Sequence, residues 1–329
     1  MRSIAYKLTC LIVLLAILIG YGCQTPPKEG VFKDKAIPAD KATQLRQLNT
    51  DLFKAIKTDR DDAELLCSKE LLKQKNLKIQ FEYVNKLRTE NEYFLLKDYY
   101  IVNKGGNDDD DILKGIENQE VDYQPLAKEM YFAFFVPKQK QNKIMLTLVY
   151  ARYDVGWKAN NIAIGYYTQL GKTGTQLFEA AKKNYAQGYL VNAINNIMLA
   201  ANCKSGSAYL KAANGDEIAE FSKKVIDEAN SKIKYPLMLS GVKTHPEVFS
   251  ISSDAKEDEF VQYVYYLTKL KITDTAALKQ ENEQIKLQLP AAFPGINKGK
   301  KTMLYSAMNR KPIVGQSVDH MDFEEKIDN

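Results

Sequence analysis

The sequence predicts an α+β chain, and three observations carry that expectation. Apolar residues recur at helical spacing in 41–75 and again in 174–231. Between these blocks, 77–167 alternates apolar and polar residues with period two, the signature of strands. The closing stretch, 232–312, sets short alternating runs around one helical pattern, so strands and helices are segregated by region and do not alternate regularly.

The chain opens with Arg2 and Lys7, followed by an apolar run over 8–22. About 15 apolar residues are short for a membrane span and right for a signal peptide. Cys23 follows directly after Ile19, Gly20, Tyr21 and Gly22, which resembles the lipobox of bacterial lipoproteins. The resemblance implies cleavage after Gly22, lipid attachment at Cys23 and membrane anchoring through that lipid. Gln24, where some inner-membrane lipoproteins carry Asp, favours the outer membrane. Pro26, Pro27, Gly30 and Pro38 mark 23–40 as a tether.

Residues 41–75 read as two helices. Leu45, Leu48, Leu52 and Ile56 form the first stripe; Asp59 to Asp62 turn the chain and cap a second helix carrying Leu65, Leu66, Leu71 and Leu72. Leu77, Ile79, Phe81 and Tyr83 alternate with polar residues and predict a strand with one wet face. Further strands are expected over 92–103, 130–136, 143–153 and 157–167, with hairpin turns at 138–142 and 154–156. Two helices followed by long aromatic-rich antiparallel strands resemble the nuclear transport factor-like superfamily. Over 41–170 the resemblance implies a cone-like domain with a curved antiparallel sheet and an apolar pocket for a small ligand or a protein contact.

Gly188 interrupts a run in which Leu177, Ala180, Ala181 and Tyr185 precede it, and Ala193, Ile197 and Ala200 follow it, at helical spacing. Small residues on both halves allow two antiparallel helices to approach closely. The pattern resembles one tetratricopeptide unit, and no second copy occurs in the chain. A third helix is expected over 216–231, with Ile218, Phe221, Val225 and Ala229 buried, which completes a helical segment over 171–231. A small α+β module follows over 232–312. It has strands at 236–242, 248–252, 260–270 and 302–308 and a helix capped by Asp274 and closed by Pro290, Pro294 and Gly295. Residues 313–329 read as a loose tail. As a whole the chain resembles an envelope lipoprotein type of Bacteroidota, a resemblance that implies no activity.

The composition excludes several functions. Without residues 1–22 the formal charge falls from +5 to about +3, and no basic run stands out, so nucleic acid is not an expected partner. Gly171-Lys172-Thr173 precedes a helix but lacks the spacing of a phosphate loop, and Thr173 or Thr175 as a helix cap accounts for it. Asp108, Asp109, Asp110 and Asp111 lack the register of a calcium loop and read as a solvated loop. His245 and His320, the only histidines, are far apart in sequence, which argues against zinc or a Ser-His-Asp set. No metal or cofactor is expected. Cys67 and Cys203 sit on apolar helical patterns; a buried free thiol is expected for each, with a disulfide as the alternative.

Asp98, among Leu96, Tyr99 and Tyr100, is the weak candidate for a catalytic carboxylate, with an outward-facing position on a wet face as the plain alternative. Tyr263, Tyr265 and Tyr266 are candidates for a sugar or peptide surface, or for core. The functional expectation is a non-catalytic envelope lipoprotein that binds a protein partner or a small apolar ligand. The alternatives are an isomerase- or hydrolase-type enzyme using a buried carboxylate in the cone, and a structural component of an envelope assembly.

Overall fold

The structure, a computed structural model, describes residues 28–104, 111–114, 119–204, 209–212, 215–256 and 259–327. The signal segment, Cys23 and the acidic residues Asp108, Asp109 and Asp110 lie outside them. The chain is α+β, with a six-stranded, a five-stranded and a three-stranded sheet among the described residues.

The segment expected as a tether joins the fold at Gly30. Strand β1 (Gly30–Lys33) pairs antiparallel with β2 (Tyr93–Val102), and a 3-10 turn over Asp34–Ala36 leads into helix α1 (Ala39–Thr58). Helix α1 buries Ala42, Leu45, Asn49, Leu52 and Phe53, the stripe that its spacing demands. The second expected helix is split into two short pieces, α2 (Arg60–Leu65) and α3 (Lys69–Leu72), capped by the side chains of Asp59 and Ser68. The break arises because the backbone at 66–68 bonds to strand β7 (Gly156–Gln169): Ala159 N donates to Leu66 O at 2.9 Å and Ser68 N donates to Ala159 O at 2.8 Å.

The strand expected at Leu77 is instead helix α4 (Leu77–Glu90). Leu77, Phe81, Val84 and Leu87 form its buried stripe, while Ile79 is 64% exposed. The period-two reading covered only seven residues, and the helix runs for 14.

Strands β2, β5 (Glu129–Pro137), β6 (Lys143–Tyr153), β7 and the short β8 (Lys172–Thr173) complete the antiparallel sheet. The two hairpins at 138–142 and 154–156 fall where expected. Both faces of the sheet are covered, which is why all nine residues of β5 are buried. Helices α1 to α4 cover one face over Tyr100, Tyr131, Phe135, Leu148 and Tyr150. A small sheet of β3 (Asp111–Lys114), β4 (Gln119–Tyr123) and β9 (Leu210–Ala212) lies against the other, over Tyr99, Phe132, Phe134 and Val149.

Helices α5 (Gly174–Ala186) and α6 (Leu190–Lys204) form the expected hairpin, with Gly188 at φ +77° in the turn. Ala181 and Ala193 are fully buried, so the small side chains do mark the close approach. Helix α7 (Gly215–Lys232) adds Val225 to this layer. The hairpin also contacts the C-terminal module through buried amides: Asn195 Nδ2 donates to Gln262 Oε1 at 3.0 Å, and Asn192 Nδ2 donates to Gly295 O at 2.7 Å.

That module is a five-stranded sheet of β10 (Leu237–Met238), β11 (Glu247–Lys256), β12 (Glu259–Leu267), β13 (Thr302–Met308) and β14 (His320–Lys326). Helix α8 (Thr275–Ala292) is the crossover between the parallel strands β12 and β13, and Pro290 lies inside it. Strand β14 corrects the expectation of a loose tail. It pairs with β13 along seven residues, its Met321 and Phe323 turned to the core. Charged residues alternating with these two protect an edge strand and lower its apolar signal.

Candidate functional site

The site of interest lies where α1 meets β2 and β5. Strand β2 carries a β-bulge between Leu95 and Lys97. Without it, Leu95 and Asp98 would point to opposite faces. With it, both face the helices. The carboxylate of Asp98 is therefore buried, 1% exposed, and not on a wet face.

A network satisfies it. Arg46 on α1 forks onto Asp98, Nε to Oδ2 at 2.8 Å and Nη2 to Oδ1 at 3.3 Å. The Tyr131 hydroxyl donates to Asp98 Oδ2 at 3.1 Å, and the Asp98 backbone N–H donates to Asp34 Oδ1 at 3.2 Å. Since Tyr131 spends its hydrogen on Asp98, its oxygen must accept, and Asn49 Nδ2 donates to it at 3.2 Å. The direction of these bonds fixes the Asn49 amide and leaves its Oδ1 without a protein partner. Hydrogen bonding to Asp98 pushes the Arg46 guanidinium up, against burial, and burial pushes the Tyr131 hydroxyl up. Both carboxylate oxygens of Asp98 are thus engaged by Arg46 and Tyr131, and the group ties α1 to the sheet.

A second buried carboxylate, which the sequence reading did not single out, lies further along the same face. Tyr100 OH donates to Glu129 Oε2 at 2.5 Å, Arg152 bonds to Oε1, and Lys41 Nζ lies 3.7 Å away. Burial pushes the Glu129 carboxyl up, but the hydrogen bonds from Tyr100 and Arg152 outweigh it and hold the group below the ordinary Glu range. A depressed folded value adds stability above the unfolded value, which is lost as pH falls through the folded one. Glu129→Gln is therefore expected to lower the melting temperature at neutral pH. It should also flatten the fall of that temperature below about pH 4.3, the ordinary Glu value. Thermal unfolding monitored by circular dichroism from pH 7 to pH 3 checks both.

Beside Asp98 a cleft of about 510 Å³ opens between α1, α4 and the sheet, lined by Arg46, Asn49, Lys54, Lys57, Arg88 and Phe53, with Leu95 and Phe135 on the sheet side. A second depression of about 290 Å³ adjoins it across Phe53, Lys57 and Arg88. The Arg88 guanidinium carbon sits 3.8 Å from the centre of the Phe53 ring. Among the described residues, Lys54, Lys57 and Arg88 make no ion pair. Burial pushes the Arg88 guanidinium down from its usual range. The spacing 46, 50, 53, 54 and 57 along α1 could have signalled this face. Arg88 could not be added to it while 77–83 was read as a strand.

The other candidates remain apart. Thr173 is the N-cap residue of α5, and Gln176 Oε1 accepts from its backbone N–H at 3.0 Å, so the Gly-Lys-Thr stretch is a helix entry. His245 is exposed at φ +52°, and His320, at the start of β14, bonds through Nδ1 to Val318 O. No group of three or more potential metal ligands occurs among the described residues. Cys67 and Cys203 are separate buried free thiols, each pushed up to about 12 by burial. Tyr266 is core. Tyr263 and Tyr265 stack at 6.3 Å on the opposite face of the C-terminal sheet. Comparison of the chain with protein-family models, curated proteins and solved structures gave no match.

Proposed function

We propose that the chain is a non-catalytic binding protein of the cell envelope. In this reading it is lipid-anchored at Cys23 in the outer membrane, and its N-terminal, nuclear transport factor-like domain accepts a small apolar ligand. The observation that carries the reading is the cleft between α1 and α4, an open hollow over Phe53, Leu95 and Phe135 beside a carboxylate already committed to Arg46 and Tyr131. A volume of about 510 Å³ lies in the range of small-molecule sites. The same surface would serve a protein partner that inserts an apolar side chain. Native mass spectrometry of the full chain, compared with its denatured mass, tests the reading. A retained mass that disappears on denaturation supports it, and a bare mass moves the weight to a protein partner.

The anchoring part of the proposal rests on the apolar run and on Cys23. No helix among the described residues is long and apolar enough to cross a membrane. Cys23→Ala is expected to move the protein from the membrane fraction to the soluble fraction of fractionated cells. Unchanged retention would point to an uncleaved anchor.

A further inference from the structure

We propose that the ligand of the α1–α4 cleft is an anionic amphiphile. Its carboxylate or phosphate head sits on Lys54, Lys57 and Arg88, and its apolar body lies against Phe53, Leu95 and Phe135. The inference rests on the reading of this cleft as the binding site and adds the chemical class of the occupant.

Charge is the first argument. Four cationic side chains line the cleft, and no carboxylate does; Arg46 alone is paired, to Asp98 behind it. The remaining three cations have no carboxylate among the described residues. Cations that line one hollow without a counter-charge give it a positive potential that favours an anion. A cationic ligand would add to it.

Preorganisation is the second argument. The Arg88 guanidinium carbon lies 3.8 Å from the centre of the Phe53 ring, a contact that holds the group in place without using its N–H donors. Those donors remain available for bidentate contact with a carboxylate or phosphate. Lys57 lies on the partition between the two depressions together with Phe53 and Arg88. The head position is thereby set at their junction, on the rigid scaffold of two helices.

The third argument is the floor. Phe53 and Phe135 meet edge to face at 5.1 Å, and Leu95 pairs across the strands with Phe135. Phe53 and Phe135 are 6% and 9% exposed, so the floor offers the rims of these rings beside the half-buried Leu95, a narrow apolar strip that a free inorganic anion would leave in water and an alkyl body would cover.

Calorimetric titration of the full chain with decanoate, decan-1-ol and acetate tests the inference. Decanoate is expected to bind at least tenfold more tightly than either of the others, and its affinity to fall between 50 and 300 mM salt. Arg88→Ala should weaken decanoate binding at least tenfold. Lys57→Glu, at an exposed site that leaves the core intact, should do the same. Decanol binding as tightly as decanoate, indifferent to both substitutions, overturns the anionic head and leaves the apolar-ligand reading standing. Acetate binding as tightly as decanoate overturns the apolar body. Absence of binding by all three, with a bare native mass, overturns the inference and the ligand reading together.

Discussion

Asp98→Ala is expected to destabilise the chain by about 3 kcal/mol, because it strips the partner from a buried hydroxyl and from a guanidinium at once. Arg46 keeps 45% of its side-chain surface in solvent, so water takes over part of its solvation and the loss stays below that of a fully buried pair. Tyr131 and Asn49 have no such recourse, being 0% and 4% exposed. Asp98→Asn keeps the shape and some of the hydrogen bonds and should cost roughly half as much. Denaturant unfolding of both variants measures this. If Asp98 served catalysis, the Asn variant would abolish turnover of some substrate while leaving stability almost unchanged. The network predicts the reverse, a stability loss with ligand binding retained.

Phe132→Ala is expected to cost about 4 kcal/mol, the loss typical of a large aromatic removed from a dry core. Phe132 is fully buried and meets Tyr123 at 5.3 Å and Tyr209 at 5.5 Å, both edge to face. These two rings flank the small sheet, one on β4 and the other next to β9. Hydrogen exchange should therefore quicken in 119–123 and 210–212 well before it quickens in 247–267 of the C-terminal sheet. Uniform quickening across the chain would mean that the small sheet and the large ones unfold as one unit.

Much of the fold was legible because its signals were long. The α1 stripe runs over four turns, the strands from 129 to 169 are broken only by short turns, and Gly188 stands between two sets of small residues. Two failures have a common cause, a short pattern read alone. Seven residues from Leu77 fit both periods, and only Val84 and Leu87 further on decide for the helix. Strand β14 has only Met321 and Phe323 as apolar markers, and its pairing to β13 is a tertiary fact.

The site was half legible. Asp98 stood out because Tyr99, Tyr100 and Leu96 surround it in sequence. Its burial depends on a bulge at 95–97, and its neutralisation on Arg46, 52 residues earlier. The phase change from Tyr93 and Leu95 to Tyr100 and Val102 was the sequence trace of that bulge. Glu129 left no comparable trace, since Tyr100, Arg152 and Lys41 converge on it from three elements.

The cleft between α1 and α4 is tested most directly by a crystal structure of the chain with the ligand that native mass spectrometry retains. Ordered density is expected along Leu95 and the rims of Phe53 and Phe135, with the head of the ligand within hydrogen-bonding distance of Arg88 and Lys57. Density on the Tyr263–Tyr265 face, with the α1–α4 cleft empty, would contradict it.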